Sequence, residues 1–362
     1  MKIAVITLHR VYNYGSALQA YATQKVIEKL GHEVEIIDYI TSQRTLKKIF
    51  FKINEDKKYN VLYYIMKVFS LLLKEMTFGR FIKKNLNLTK KYITIEDLLN
   101  DPPKADIYIT GSDQTWNSDY NEGIDRGFFL DFVSNKSKRI SFVSSFGKDH
   151  LSDLEIEETK KYLSKYSAIS VREDAAVKIV EDLKIKGAVQ LIDPTLQLKK
   201  EEWLNIASKR LVKKNYLILM LLYNEDNGAT EYARKIADEK NLELVKISWE
   251  MRKPKLVDKL FTHRNPADFI SLFAYADFVV TNSFHGLAFS LNLHKQFIVI
   301  PRKEYNSRIT SLLELVNLNE RLICDEKELF NVTKKIIDYE YVEEKLCFER
   351  KKANDFMKKY II

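Results

Sequence analysis

The sequence predicts an α/β protein built from two facing Rossmann-like domains, each with a doubly wound parallel sheet. Short apolar runs rich in β-branched residues alternate with segments of helical period, which is typical of βα units. The series occurs twice, because a strongly apolar run at 216–222 restarts it in the second half of the chain. The length of 362 residues exceeds one ordinary core and suits two domains.

The first series opens with a strand at Ile3–Leu8, a helix at Ala17–Leu30 and a strand at Val34–Ile37. Gly31 suits the end of the helix, since glycine readily adopts the left-handed conformation found there. A strand–helix–strand opening of this kind predicts a parallel sheet. The later elements are expected as strands at Ala105–Thr110, Arg139–Val143, Ala168–Val171 and Ala188–Ile192, with helices at Leu154–Lys165 and Glu173–Leu183.

The second series follows the same alternation after the first closes at Asp193-Pro194-Thr195. Its elements are expected as strands at Tyr216–Leu222, Leu242–Ile247, Phe278–Thr281 and Phe297–Ile300, with helices at Ala229–Lys240, Pro266–Tyr275 and Gly286–Leu291. We therefore expect domains at 1–200 and 213–335, with the boundary near 195–213. A basic helical segment follows at 336–362.

Residues 41–95 interrupt the alternation and are rich in Lys, Phe, Leu and Tyr. The segment Tyr59–Leu73 is strongly apolar but too short and too polar to span a membrane. Three interpretations remain: a helical insert packed on the first domain, an interfacial membrane helix, and a dimer surface. The membrane alternative depends on the lysines around this segment, which are Lys47, Lys48, Lys52, Lys57, Lys58, Lys67, Lys83 and Lys84.

The amino-acid composition limits the classes of molecule that the protein can bind. Lys plus Arg number 59 against 50 for Asp plus Glu, so the net charge is +9, spread over the whole chain. Such a surplus of positive charge attracts phosphates, acidic glycans or an anionic membrane. The alternative is a lysine-rich surface that is only solvated. The chain shows no zinc-finger, RNP or helix-turn-helix pattern, so we expect no nucleic-acid partner.

The cysteines and the opening segment indicate the redox state and the cellular location. Cys324 and Cys347 lack metal spacing, and two thiols do not form a disulfide framework. The opening segment is typical of a first strand rather than of a signal peptide. We expect a cytoplasmic protein, peripheral at the inner face of the membrane if the insert contacts lipid. The sequence leaves the oligomeric state open.

Three strand-end loops of the first domain carry candidate site residues, because ligands of open α/β sheets bind outside the carboxyl ends of the strands. Asn13, Gly15 and Ser16 open a helix and suit an anion or a sugar hydroxyl, or are a capped turn. The second loop combines Asp113, a candidate general base, with an aromatic ring for a sugar face, or is a turn with Asp113 as helix cap. Its other polar and aromatic candidates are Gln114, Trp116 and Asn117.

The third loop of the first domain holds Arg172, whose guanidinium matches a carboxylate or phosphate. The alternative is an arginine held by Glu173 or Asp174 at a helix start. Either way, Arg172 stands at a strand end where a ligand is expected.

The second domain has two candidate loops. Ser283, His285 and Gly286 follow a strand and begin a helix, a place where histidine can donate to an anion or shuttle a proton. Arg302 and Lys303, with Arg308, follow another strand; they clamp a second anionic group or form an exposed basic loop. We expect an anionic small substrate in a cleft between the two domains. The sequence shows no zinc, EF-hand or Ser-His-Asp pattern.

These loops, in this order, resemble those of the polysaccharide pyruvyl transferase family. The resemblance extends from residue 3 to about residue 310 and omits the insert and the tail. The matching blocks are Asn13–Tyr21, Gly111–Asn117, Ser170–Glu173 with Asp193–Thr195, and Thr281–Gly286. Some relatives carry a basic residue directly before the histidine, where this chain has Phe284, so the phosphate contact is arranged differently here.

The resemblance implies a glycosyltransferase-B-like fold and transfer of pyruvate from phosphoenolpyruvate onto two hydroxyls of a sugar, giving a cyclic ketal. It also implies that no metal and no organic cofactor takes part. It places this reaction in bacterial surface polysaccharide biosynthesis, such as that of a capsule or exopolysaccharide, on a nucleotide- or lipid-linked acceptor. Arg172 and His285 would be catalytic donor contacts, joined by Ser283, Gly286, Arg302 and Lys303. Asp113 would be the base on the acceptor side, where Asn13, Gly15, Ser16, Gln114, Trp116 and Asn117 would bind the sugar.

Two rival functions stay open at this point. One is a nucleotide-sugar glycosyltransferase of the same fold, with a diphosphate at His285. The other is a non-catalytic glycan-binding or assembly protein, which accounts for the basic surface but not for the polar residues gathered at the strand ends.

Overall fold

A computed structural model describes residues 1–40, 61–222, 225–249, 252–303 and 306–361. The chain divides into two compact units. The first is Met1–Gln197 together with Lys352–Ile362, and the second is Leu198–Lys351. Residues 41–60, with Lys47, Lys48, Lys52, Lys57, Lys58 and Tyr59, lie outside the described ranges.

The first unit contains a seven-stranded sheet in the order β3-β2-β1-β4-β5-β6-β7. Each neighbouring pair of strands is parallel, as the alternating sequence pattern predicts. The order reverses between β1 and β4, which makes the sheet doubly wound. The strands are β1 Lys2–Ile6, β2 Glu33–Tyr39, β3 Leu88–Tyr92, β4 Ile107–Thr110, β5 Lys138–Ser144, β6 Ala168–Val171 and β7 Val189–Gln190.

Helices connect these strands and cover the sheet. The first of them is capped as the sequence predicts: the Asn13 side chain accepts a hydrogen bond from the Gly15 amide, and Gly31 follows the end with φ of +83°. The helices of this half are α1 Tyr14–Lys29, α2 Val61–Asn85, α3 Ile95–Asn100, α4 Ser118–Asn121, α5 Asp153–Leu163, α6 Asp174–Asp182 and α7 Pro194–Gln197.

The described part of the insert is a helix followed by a strand. Phe78 and Phe81 of α2 are buried, and their rings lie 5.2 Å from Tyr14 and 6.3 Å from Tyr21. The described helix of this segment therefore packs against α1 of the first unit. The strand β3 was not predicted, because its sequence LTKKY lacks an apolar run and it borders the sheet as an edge strand.

The second unit contains a five-stranded parallel sheet in the order β10-β9-β8-β11-β12, which reverses between β8 and β11. Its strands are β8 Tyr216–Met220, β9 Glu243–Ile247, β10 Lys259–Phe261, β11 Phe278–Thr281 and β12 Gln296–Val299. Its helices are α8 Lys200–Leu204, α9 Ala229–Glu239, α10 Pro266–Ala274, α11 Phe284–Asn292, α12 Ser307–Leu315 and α13 Leu329–Lys334, with 3₁₀ turns at Asn319–Arg321 and Glu326–Glu328.

The last helix, α14 Tyr339–Ile361, begins in the second unit, and its residues from Lys352 are grouped with the first. Among the helices of the described ranges, none is both long and apolar enough to cross a membrane.

Candidate functional site

Two of the loops that the sequence singles out meet at the strand-order reversal of the first sheet. Because β1 and β4 are neighbours, the segments that follow them lie side by side at the carboxyl edge. There the Ser16 hydroxyl, in the first turn of α1, donates to Asp113 Oδ2 at 2.6 Å. The expected acceptor loop and the candidate base are therefore brought into direct contact.

The backbone of the Asp113 loop is held in an uncommon conformation. Gly111 has φ of +109°, and a Cβ there would lie 2.3 Å from the Phe142 carbonyl oxygen, so only glycine fits. Asp113 itself has φ of +78°, a region that aspartate adopts more readily than most residues. Its carbonyl accepts from the Ser145 amide at 2.9 Å, which ties the loop to the end of β5. The carboxylate is thus presented from a fixed backbone.

Arg172 lies at the end of β6 with its side chain 1% exposed, among carboxylates. Its guanidinium is 3.1 Å from Asp193, 3.4 Å from Asp113 and 3.7 Å from Glu173. Burial alone would lower the pKa of Arg172, but the carboxylates of Asp113 and Asp193 raise it above its ordinary value. The guanidinium therefore stays charged while it binds groups of the protein itself.

The structure pairs Arg172 with carboxylates of the chain, whereas the sequence analysis expects it to bind the donor anion. The guanidinium lies within 3.1–3.7 Å of three carboxylates of the chain itself. The alternative left open by the sequence, an arginine held by neighbouring acids, is closer to the structure. The partners, however, include Asp113 and Asp193 besides Glu173.

Trp116 also departs from its expected role. It is 2% exposed, its ring stacks on Phe129 at 5.7 Å and packs against Phe146 at 5.1 Å, and its indole N–H donates to the Phe128 carbonyl. A ring covered on its faces by core side chains cannot stack on a sugar. The aromatic residue in a polar loop thus belongs to the hydrophobic core.

Gln114 and Asn117 organise the same loop. The Asn117 side chain caps α4 by accepting from the amides of Asp119 and Tyr120, and it donates to Gln114 Oε1 at 2.6 Å. Asn117 rather than Asp113 is therefore the helix cap here. Gln114 stays partly exposed beside Asp113.

A neighbouring cluster at the ends of β1 and β2 escaped the sequence analysis. His9 is fully buried, and its Nε2 lies 3.0 Å from Asp38, which also accepts from Arg10 at 2.7 Å. Burial raises the pKa of Asp38, but the hydrogen bonds from His9 and Arg10 outweigh it and hold the pKa well below its usual range. His9 resembles a turn residue in the sequence, and Asp38 lies near the end of an ordinary strand, so only the pairing of β1 with β2 brings them together.

The second sheet repeats the arrangement at its own reversal, between β8 and β11. Asn282, directly after β11, accepts from the Leu222 amide at 2.6 Å and donates to the Glu225 carbonyl at 2.9 Å. These bonds join the loops that follow the two strands. The loop that leads into α11 is therefore fixed to the loop that follows β8.

The predicted donor residues Ser283, His285 and Gly286 lie together at the start of α11. Ser283 is the N-cap and accepts from the Gly286 amide, and His285 is buried in the first turn with 8% exposure. A Cβ at Gly286 would lie 2.2 Å from Thr281 Oγ1, so glycine permits the close approach of helix and strand. The positive end of a nine-residue helix thus lies beside a buried imidazole.

Arg302 and Lys303 follow β12 but differ in their surroundings. Arg302 donates twice to Glu225, at 2.8 and 3.2 Å, with its side chain 10% exposed. This pairing is the first cause of the lowered pKa of Glu225. Lys303 is exposed. Of these two expected donor cations, Arg302 is already bound to a carboxylate.

The described residues contain no group of three or more His, Cys, Asp or Glu side chains placed to hold a metal ion. The two strand edges present carboxylates, an imidazole, hydroxyls and backbone amides. These groups suit proton transfer and anion binding.

Solved structures similar to this chain share its fold. An α-glucosyltransferase in complex with UDP and DNA aligns with a TM-score of 0.51 and 10% identity, over 99% of this chain and 95% of that one. The S. aureus MnaA–UDP structure gives 0.51 and 13%, over 99% and 96%. UDP-GlcNAc 2-epimerase from Methanocaldococcus jannaschii gives 0.50 and 12%, over 93% of each chain. The fold is therefore glycosyltransferase-B-like, as the sequence predicts.

Sequence comparison identifies the family. A search of curated proteins gives no significant match. The family model described as polysaccharide pyruvyl transferase matches residues 13–304, which include both strand edges described above. The chain belongs to the polysaccharide pyruvyl transferase family.

Proposed function

We propose that this protein transfers pyruvate from phosphoenolpyruvate onto two hydroxyls of one sugar, forming a cyclic ketal and releasing phosphate. The observation that carries the proposal is the Asp113 carboxylate, held at the reversal of the first sheet by Ser16 and Arg172. Family membership supplies the reaction class. The acceptor would be a nucleotide- or lipid-linked sugar in surface polysaccharide synthesis.

In this proposal the first unit activates the acceptor. Asp113 accepts the proton of an attacking sugar hydroxyl, and Ser16 and Arg172 position its carboxylate without contacting the donor. Asn13 and Gly15 shape the turn, and Gln114 lies next to the base. The uncommon φ of Asp113 is consistent with a loop whose shape serves a task rather than packing.

The second unit binds the donor in this proposal. The phosphate of phosphoenolpyruvate lies at the start of α11, near Ser283, His285 and the Gly286 amide, where the helix dipole favours an anion. Lys303 supplies charge from the surface, whereas Arg302 orders the loop through Glu225. His285 is the acid nearest to the departing phosphate.

The proposed steps conserve atoms and protons. C3 of phosphoenolpyruvate gains a proton and becomes a methyl group while the first sugar oxygen bonds to C2. The bond from C2 to the phosphate oxygen then breaks, phosphate leaves with the electron pair, and the second hydroxyl closes the ketal at C2. Two hydroxyl protons are lost, the first to Asp113. One of them balances the proton that C3 gains, and the other balances the proton that the departing phosphate takes from His285.

The experiment is a steady-state assay of Asp113→Asn, which keeps the size of the side chain and removes the base. We expect kcat to fall by about 10²–10⁴-fold, with the KM for phosphoenolpyruvate little changed. Asp174→Asn is the matched control, because Asp174 is exposed in the first turn of α6, beside the cluster. Equal kcat values for Asp113→Asn and wild type would remove Asp113 from the mechanism.

A sugar nucleotide is the competing donor, since the start of α11 suits a diphosphate as well. Incubation with phosphoenolpyruvate or with UDP-sugars, each with the same acceptors, separates the two reactions. Phosphate release and a product heavier by one pyruvate less one water support pyruvyl transfer. Release of UDP with a glycosylated product supports the rival.

We further propose that the enzyme works at the cytoplasmic membrane face through α2. Apolar side chains at helical spacing are half-exposed on it: Ile65, Phe69, Leu72 and Met76. Lys83 and Lys84 lie in its last turn. Co-sedimentation with anionic vesicles should decrease for Phe69→Ser/Leu72→Ser, and unchanged partition of that variant would refute lipid contact.

A further inference from the structure

The first unit has a pocket of about 310 Å³ that the residues discussed so far do not line. It lies beside the carboxyl ends of β2 and β3, since Tyr39 is the last residue of β2 and Ile93 follows the last residue of β3. The rest of its wall consists of residues 94–96 and the segment 121–126. A volume near the lower end of the range for small-molecule sites suits a compact ligand.

The pocket is close to the candidate base. In the sheet order, β2 is two strands from β4, which precedes Asp113. At a strand spacing of about 4.8 Å, this places the pocket roughly 10 Å along the same edge. A hydrogen bond also links the pocket wall to the loop of Asp113: the Asn121 side chain donates to the Thr115 carbonyl at 2.9 Å.

The wall of the pocket is preformed. The Tyr39 hydroxyl donates to Asp125 at 3.0 Å, and the Asp125 carboxylate also accepts from the Gly127 amide. On the other segment, Thr94 caps α3 in a reciprocal capping box with Asp97. Ordered walls lower the entropic cost of binding a ligand.

The charge of the lining selects against anions. Three of the lining residues are acidic, namely Glu96, Glu122 and Asp125, and one is basic, Arg126. Arg126 donates through Nε and Nη2 to Asp131, at 2.9 and 2.6 Å. The pocket is therefore unsuited to phosphoenolpyruvate or a nucleotide diphosphate, although the protein as a whole carries a charge of +9.

Polar acceptors in this lining alternate with apolar side chains. Isoleucines at 93, 95 and 124 and the Tyr39 ring provide apolar contact, while the carboxylates and the Asn121 amide accept or donate hydrogen bonds. A sugar ring has the same combination of a C–H face and hydroxyl groups. Carboxylates accept strong hydrogen bonds from such hydroxyls.

We propose that this pocket binds an uncharged saccharide unit of the acceptor, remote from the unit that receives the pyruvate. The proposal rests on the function proposed above and deepens it, because it names the acceptor class and its second contact. Binding energy at a remote unit would be used to orient the reacting hydroxyls at Asp113.

The test fills the pocket with a larger side chain, placed at an exposed lining position. Ile93 lines it and is 40% exposed, so Ile93→Trp should block it at little cost to folding. Leu99→Trp is the matched control: Leu99 is 42% exposed on the neighbouring α3 but does not line the pocket. Glu96→Trp is a second blocking variant from another exposed lining residue.

The probes are lactose, N,N′-diacetylchitobiose and a glucuronic-acid disaccharide, titrated by saturation-transfer NMR and calorimetry in the absence of phosphoenolpyruvate. We expect at least one neutral probe to bind wild type and Leu99→Trp, with at least tenfold weaker binding to both blocking variants. The anionic probe should bind more weakly than the neutral ones. Equal neutral-probe binding by blocked and wild-type proteins, or binding of the anionic probe alone, would overturn the proposal.

Failure of the pocket and failure of the proposed reaction give different results. A neutral saccharide that binds wild type but not the blocking variants would support the pocket assignment. If no phosphate is then released from phosphoenolpyruvate, the proposed reaction is wrong. If pyruvyl transfer proceeds and Ile93→Trp leaves the acceptor KM unchanged, the reaction stands and the pocket assignment is wrong. Should both hold, blocking will raise the acceptor KM without changing the KM for phosphoenolpyruvate.

Discussion

Replacement of Arg172 by methionine is the most informative perturbation of the first unit. Its guanidinium lies within 3.1–3.7 Å of the carboxylates of Asp193, Asp113 and Glu173, with its side chain 1% exposed. The variant keeps much of the side-chain volume and removes the cation. The carboxylates of the cluster then lose the guanidinium that lies among them.

The expected cost follows from burial. Removing one partner of a buried ion pair destabilises a protein by about 3–5 kcal/mol, because the remaining charges stay desolvated. At 1.4 kcal/mol per factor of ten, the folding equilibrium shifts by roughly 10²- to several thousandfold. An exposed pair contributes only about 0–1 kcal/mol. Lys90→Met is the control, since Lys90 pairs with Asp101 and the two side chains are 55% and 72% exposed.

Equilibrium unfolding in urea, followed by tryptophan fluorescence and circular dichroism, measures both variants. Arg172→Met should lose several kcal/mol, and Arg172→Met/Asp193→Asn should lose less, because one stranded carboxylate is neutralised. Arg172→Lys should recover part of the stability but little activity, since an ammonium cannot bridge three carboxylates as a guanidinium does. A loss for Arg172→Met no larger than that for Lys90→Met would refute the reasoning.

Three further predictions concern other residues. Trp116→Phe should leave the acceptor KM within about twofold of wild type, because the ring is buried. Trp116→Ala should lower the free energy of unfolding in urea by about 3–5 kcal/mol. A large change of the acceptor KM in Trp116→Phe would instead support contact of this ring with the sugar. Gly31→Ala should cost about 1–2 kcal/mol, because Gly31 has a positive φ. Gly111→Ala should destabilise the protein more, because a Cβ there would also lie 2.3 Å from a backbone oxygen. Equal thermal midpoints of the two variants would contradict this. Burial and the nearby ammonium of Lys200 lower the pKa of Lys295 from 10.5 to about 8, so the unfolded state binds more protons between these values and stability should rise with pH there. Lys295→Met should be more stable than wild type at pH 7 and converge with it near pH 10.5, and a parallel pH profile of the two proteins would exclude this role for Lys295.

The sequence predicted the fold well because the strong signals are local. Apolar runs such as Phe278–Thr281 coincide with strands, and helix starts coincide with capping residues such as Asn13. Strand β3 was missed because an edge strand is solvated and needs no apolar run. Its register was set by pairing with β2, a contact between residues far apart in sequence.

The candidate site was predicted in outline, and its internal contacts were not. The strand-end rule located Asp113 and His285, because parallel strands bring their carboxyl ends to one edge. The partners of Arg172 depend on how β4, β6 and β7 lie in register, which residue types alone do not specify. Trp116 was misassigned for the same reason: a polar loop contains it, but its ring turns into the core.

The most direct test of pyruvyl transfer is a coupled assay of phosphate release from phosphoenolpyruvate with mass spectrometry of the sugar. The account predicts phosphate release that depends on the acceptor, a product heavier by one pyruvate less one water, and loss of both in Asp113→Asn but not in Asp174→Asn. Acceptor-dependent turnover of a sugar nucleotide, with phosphoenolpyruvate left intact, would contradict it.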